Sequence, residues 1–136
     1  MTLVKKIKDK NVNFEFNKEY IKVVTDKISN NDAPFISNSF KEMHPSDAAD
    51  IIEHLSENDR EKLIKLNDFK LDPEVFVELN EAVQTEIINY LSKDAVVFIL
   101  KNLESDDAIK IIENFDENNK NEILSSLPPK DKFALL

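Results

Sequence analysis

An apolar residue returns about every twelve positions along most of this chain. Leu55, Leu66, Leu79, Leu91, Leu103, Phe115 and Leu127 stand 11, 13, 12, 12, 12 and 12 residues apart. In most units an apolar pair lies four and three positions ahead of the closing residue: Ile51-Ile52, Ile87-Ile88, Ile99-Leu100, Ile111-Ile112 and Ile123-Leu124. Smaller apolar residues, Ala48, Val83, Ala95 with Val96, and Ala108, sit a further three or four positions back. Such offsets describe one stripe on a helix, whereas a half-buried strand alternates at every second residue. After each closing residue comes a polar, turn-prone stretch: SEND, NDFKLDP, NE, SKD, ESDD, DENN and PPKD. Ser, Asp and Asn there can accept the free N–H groups of the next helix. Pro45, Pro73 and Pro129 fall where a first helical turn tolerates proline.

Each unit therefore reads as a helix of about 8–10 residues plus a tight turn. A helix that short does not stand alone in water and must bury its stripe against neighbours. Two further helices are expected ahead of the repeats. NKEYIKVVTDKI, residues 17–28, lines up Tyr20, Ile21, Val24 and Ile28, with Asn17 as its cap. APFISNSFKEM, residues 33–43, puts Pro34 at a helix start and aligns Phe35 and Ile36 with Phe40 and Met43. This pair is expected to cover one end of the stack. The expected fold class is all-α: a right-handed superhelical stack of about 8–10 short helices, α-solenoid-like. The spacing alone does not encode the hand. Residues 1–13 form a basic segment ahead of a helical-repeat domain at residues 14–136.

Composition supports helices. The chain has no Gly, which tight β-turns usually need. It has no Cys, which excludes disulfides, thiolate metal sites and a Cys nucleophile. Charge is uneven: residues 1–43 carry 8 Lys against 6 Asp and Glu, while residues 44–136 carry 10 Lys and Arg against 21 Asp and Glu. An acidic body of that kind repels nucleic acid and attracts cations or basic partners. The longest apolar run is AVVFIL, residues 95–100, far short of the roughly 20 residues of a membrane span. The basic start MTLVKKIKDK lacks the apolar core of a signal peptide.

No catalytic residues are expected. His44 precedes Pro45 and shapes a turn, and His54 neighbours the stripe. There is no zinc-protease motif, Walker loop, nucleophile elbow or Cys/His pair. The acids are more informative. Asp47, Asp94, Asp106, Asp107, Asp116 and Glu117 fall at or just before helix starts. A carboxylate there caps N–H groups and meets the positive end of the helix macrodipole, worth roughly 0.3–1 kcal/mol. Stacking, however, brings helix starts on one edge together. Two carboxylates about 5 Å apart repel by roughly 3 kcal/mol at an effective dielectric near 20. Such an edge suits a weakly held, oxygen-ligated divalent cation, Mg²⁺ or Ca²⁺, or a basic partner.

MHPSDAADIIEHLSENDREKLIKL, residues 43–66, resembles the opening of the intracellular N domain of MgtE-type magnesium transporters. DPEVFVELNEAVQTEIINYL and ESDDAIKIIENF are similar to later units of that domain, and residues 13–43 look like its first helical pair. The resemblance covers roughly residues 14–136. It implies a cytosolic regulatory domain that senses Mg²⁺ and gates a magnesium channel or transporter, at the cytoplasmic face of the inner membrane. It further implies a fragment of a longer chain whose CBS and transmembrane domains are its partners, within a homodimeric parent. Mg²⁺ would be held weakly and shared with CBS acids. Carried over without gaps from the His-Pro pair, the family's Mg²⁺-linked acids fall on Glu74 and on Asp106, with Asp107 beside it as a second candidate. A third family acid falls on Lys110, a departure, since an ammonium cannot ligate Mg²⁺. The alternative reading is a helical protein-interaction scaffold of the flagellar motor switch type (FliG-like), whose superhelix is similar.

Overall fold

The joints between helices explain both the twelve-residue repeat and the absence of glycine. The structure, a computed structural model, describes residues 14–66 and 69–127, with side chains from residue 18 onward. Among the described residues there are nine helices and no strand. They are α1 (Phe14–Ser29), α2 (Ala33–Lys41), α3 (Pro45–His54), α4 (Glu57–Lys65), α5 (Pro73–Glu78), α6 (Glu81–Tyr90), α7 (Lys93–Lys101), α8 (Ser105–Glu113) and α9 (Glu117–Ser126). The chain is all-α, as the periodicity predicts. The basic segment at residues 1–13 and Pro129 lie outside the described residues.

Leu55, Leu66, Leu79, Leu91 and Leu127 each end a helix in extended backbone, with φ from −83° to −61° and ψ from 135° to 156°. After Leu55, Leu79 and Leu91 the next residue, Ser56, Asn80 or Ser92, is also extended and is the N-cap of the following helix. Two extended residues thus turn the chain. Many helices instead end on a left-handed residue, usually Gly; extended backbone is open to any L-residue. Asn31 (φ 57°) is the one non-Gly residue with positive φ among those described, and Asn tolerates that region. The closing side chains point inward: Leu55, Leu79 and Leu127 are buried, and Leu66, Leu91, Leu103 and Phe115 pack half-buried on the core.

Helix starts follow the capping chemistry. Asp32, Ser56, Asp72, Asn80, Ser92 and Asp116 each accept a first-turn backbone N–H on their side-chain oxygen, at 2.8–3.2 Å. Pro45 and Pro73 occupy the first positions of α3 and α5, and Pro34 lies in the first turn of α2. Two expectations are corrected. Asn17 does not cap the first helix, because α1 already runs from Phe14; Phe16, four residues before Tyr20, continues the apolar spacing upstream of it. The range of about 8–10 residues fails at α5, which has six. Pro73 fixes its start and biases Asp72 away from helix, while Asn80 caps α6 just beyond. The 13-residue interval is absorbed here, between Leu66 and Leu79.

Helices pack mainly on the next but one. α3 packs on α5, α5 on α7 and α7 on α9, while α4 packs on α6. α1 lies against α2, α3 and α4, covering the N-terminal end of the stack. Tyr20, Val24 and Ile28 of α1 enter the same continuous core that runs to Ile123 of α9. Each fully buried aliphatic side chain contributes about 1.5–3 kcal/mol.

One polar cluster crosses this core's flank. Arg60 on α4 is buried and makes a two-pronged pair with Glu86 on α6, through Nε and Nη2 at 2.8 Å each. Its Nη1 donates to the carbonyls of Glu53 (3.2 Å) and Leu55 (2.7 Å) at the end of α3. Tyr90 donates its hydroxyl to Glu86 Oε2 at 3.0 Å. Arg60 therefore satisfies orphan carbonyls of one helix while pinning two others. The guanidinium beside Glu86 holds its carboxyl below the ordinary 4.5. Because that folded value is depressed, the pair's contribution is present above pH 4.5 and is lost as pH falls through the folded value. Arg60→Ala should cost roughly 3 kcal/mol in urea unfolding, since it strands a partly buried carboxylate and two carbonyls. Glu86→Gln should lose less stability than the parent chain on acidification below pH 4.5; parallel pH profiles would contradict the assignment.

Candidate cation-responsive groove

Two helices begin without the side-chain cap that α2, α4, α5, α6, α7 and α9 share. α3 starts after His44 and α8 after Glu104, and neither residue makes a side-chain cap bond. Their first-turn acids, Asp47 in α3 and Asp106 and Asp107 in α8, meet the positive helix ends electrostatically instead. Asp116, by contrast, is a true cap: its carboxylate accepts the Asn119 N–H at 2.8 Å. The Asp residues ahead of Ile51-Ile52 and Ile111-Ile112 are therefore not accounted for by capping bonds.

Both uncapped starts open on one groove of about 490 Å³. His44, Pro45 and Ser46 line it from the start of α3; Glu74, Val77 and Glu78 from α5; and Asn102, Leu103, Glu104 and Asp107 from the α7–α8 joint and the first turn of α8. The fold brings them together because α5 sits between α3 and α7 in the same row. Glu74 and Glu78 lie one turn apart on α5, a like-charge spacing that disfavours an isolated helix. Among the described residues, neither they nor Glu104 and Asp107 engage a side-chain ion pair or hydrogen bond. Four carboxylates thus share one groove with no lysine or arginine on its walls.

Of the acids singled out from the sequence, Glu74 and Asp107 line this groove. Asp106, preferred on the resemblance, is exposed on α8 and does not line it. Lys110 is exposed in the last turn of α8, also outside it. Glu78 and Glu104 were not singled out. Their signals were present: Glu78 is one turn after Glu74, and Glu104 immediately precedes the Ser-Asp-Asp start. His44 shapes the turn as expected, from the N-cap position, and is exposed. His54 is exposed as well and bonds through Nδ1 to the carbonyl of Asp50, one turn back, at 2.7 Å.

Hard oxygen donors of this kind match what Mg²⁺ and Ca²⁺ prefer. No group of three or more His, Asp or Glu among the described residues is arranged to hold a metal ion. The groove therefore fits part of a site, one or two carboxylates offered from this side, and not a closed cage.

The model of the family described as the MgtE intracellular N domain matches residues 43–136. The chain belongs to this family. No curated protein matches it. The MgtE match begins at Met43, so it takes in α3 to α9 and leaves α1 and α2 outside. The groove's lining residues all fall within the matched span. No described helix is long and apolar enough to cross a membrane.

Titrated alone with Mg²⁺ in a calorimeter, this MgtE-family chain should bind no more tightly than roughly the millimolar range, and added salt should weaken binding further. A micromolar site in the isolated chain would contradict the open, partial donor set.

Proposed function

We propose that this MgtE-family chain is the Mg²⁺-sensing, gating domain of a magnesium transporter or channel, and that the carboxylate groove is the face through which it senses. The membership in the MgtE intracellular N domain family places it with an intracellular part of a magnesium transporter. The observation that carries the finer reading is the convergence of Glu74, Glu78, Glu104 and Asp107 on one groove with no lysine or arginine on its walls.

The mechanism is electrostatic. Bound Mg²⁺ supplies a compact double positive charge with a preference for oxygen ligands. Glu74 and Asp107 on the groove wall, and Asp106 beside Asp107 in the first turn of α8, are the residues of this chain that would hold it, the remaining ligands coming from acids of CBS domains in the parent chain. With the carboxylates bare, docking against another acidic surface is opposed by roughly 3 kcal/mol for each carboxylate pair brought to about 5 Å. With them neutralised, the docked arrangement is favoured. The shift is bounded by the difference in ion affinity between docked and undocked states. On this reading the domain works at the cytoplasmic face of the inner membrane, and the shared ion is regulatory, not catalytic. Nothing in the structure or the family match favours the flagellar-switch scaffold.

Joining the CBS domains to this chain should raise apparent Mg²⁺ affinity by about tenfold or more, a coupling of at least roughly 1.4 kcal/mol. Asp107→Ala, Glu74→Ala and Asp106→Ala should each reduce that gain. Calorimetry giving the same affinity with and without the CBS domains would overturn the proposal.

A further inference from the structure

Half of the groove's carboxylates depend on how one very short helix is rolled. α5 carries Glu74 and Glu78 on six residues. Val75 and Phe76 are buried and hold α5 against the stack, but apolar burial is non-directional and does not by itself fix a helix's roll. One residue of roll is about 100°, enough to turn both glutamates off the groove wall. Hydrogen bonds are directional, and two reach the C-terminal end of α5 from side chains of other helices. Gln84 on α6 donates its Nε2 to the Phe76 carbonyl at 3.0 Å. Glu53, in the last turn of α3, accepts the backbone N–H of Asn80 at 2.8 Å.

Both side chains are committed to the joint that follows α5. A carboxylate in the last turn of α3 meets the negative end of that helix's own dipole. The same carboxylate stands at the N-cap of α6, at the positive end, where its bond to the Asn80 N–H is charge-assisted. The main chain of Glu53 is gripped in turn, because Arg60 donates to its carbonyl at 3.2 Å and is itself locked to Glu86 of α6. Gln84 lies one turn after Asn80 on α6. The Phe76 carbonyl also accepts the Leu79 N–H at 3.1 Å, so Gln84 occupies its second lone pair. The Leu79–Asn80 joint, directly after Glu78, is thus clamped from α3 and from α6.

We infer that Glu53 and Gln84 are positioning residues of the sensing face: they set the roll of α5 and so the direction in which Glu74 and Glu78 face Glu104 and Asp107 across the groove. Neither lines the groove, and neither touches the ion. The consequence for Mg²⁺ binding rests on the proposed sensing role; the consequence for the geometry of α5 rests on the two hydrogen bonds alone.

Three variants of the ¹⁵N-labelled full chain test it by NMR: Glu53→Ala, Glu53→Gln and Gln84→Met. Without Mg²⁺, the residual dipolar couplings of residues 74–78 should change in Glu53→Ala and in Gln84→Met, while those of α3 and α7 stay. They should return toward the parent values in Glu53→Gln, whose amide oxygen still accepts the Asn80 N–H. In a Mg²⁺ titration read at Glu74, Glu78 and Asp107, the midpoint should rise about threefold in Glu53→Ala and Gln84→Met, and by less in Glu53→Gln. Ala and Gln remove the same charge from position 53, so the difference between them isolates the hydrogen bond from the general attraction of a carboxylate for a cation. Should Glu53→Ala fail to fold, Gln84→Met carries the same comparison with the parent chain. A lower thermal midpoint with unchanged couplings at residues 74–78 would make both residues merely structural and overturn the inference, as would equal Mg²⁺ midpoints in Glu53→Ala and Glu53→Gln. Changed couplings in a chain whose parent shows no Mg²⁺ shifts at the groove would uphold the positioning of α5 and overturn the sensing reading instead.

Discussion

The two-residue extended joint is the constraint from which the rest of this structure follows. A closing Leu leaves the helix with its backbone extended and its side chain turned inward, and the next residue caps the following helix. Where this joint occurs it is so short that consecutive helices do not lie side by side over their length, and α3, α4, α5 and α7 instead pack on the helix two along. That alternation places α3, α5 and α7 in one row. The packing of α5 between α3 and α7 brings the start of α3, the outer face of α5 and the α7–α8 connection to a common groove. A longer, glycine-based connection would leave the helix starts free to diverge.

Most of the architecture was legible because it is written in local offsets. Pairs three and four positions before each closing residue became buried stripes, as Ile51, Ile52, Ile111 and Ile112 show. Capping letters worked where a single helix start competed for them, at Ser56, Asn80, Ser92 and Asp116. They failed at Asn17, where apolar spacing upstream continued the helix past it. Length failed at α5, where Pro73 and Asn80 set both boundaries independently of the repeat.

The groove was less legible, for a geometric reason. Successive residues on a helix are rotated by about 100°. Asp106 and Asp107 are equivalent as helix-start acids, yet one residue of rotation puts Asp107 on the groove wall and Asp106 outside it. No local offset resolves that choice; it depends on how α8 is rolled against the stack. The Arg60–Glu86 pair was invisible for a different reason. Its partners are 26 residues apart, on helices joined only by the packing of α4 on α6. The hydrophobic repeat says that those helices stack but not which polar residues meet across them.

The six-residue α5 is where these threads meet. Glu74, Val77 and Glu78 face the carboxylate groove, while Pro73 and Val75 are buried on the other side of the helix. Such a helix is too short to be stable by itself, and its geometry is imposed by α3 on one side and α7 on the other, with Val75 and Phe76 buried in the core. The two glutamates are therefore not free to relax apart by fraying or sliding. Repulsion that a flexible loop would dissipate is retained as a property of the folded surface. On the proposed reading, a retained repulsion of this kind would let a counter-ion, or a partner that brings one, change the energy of docking without first having to order the site.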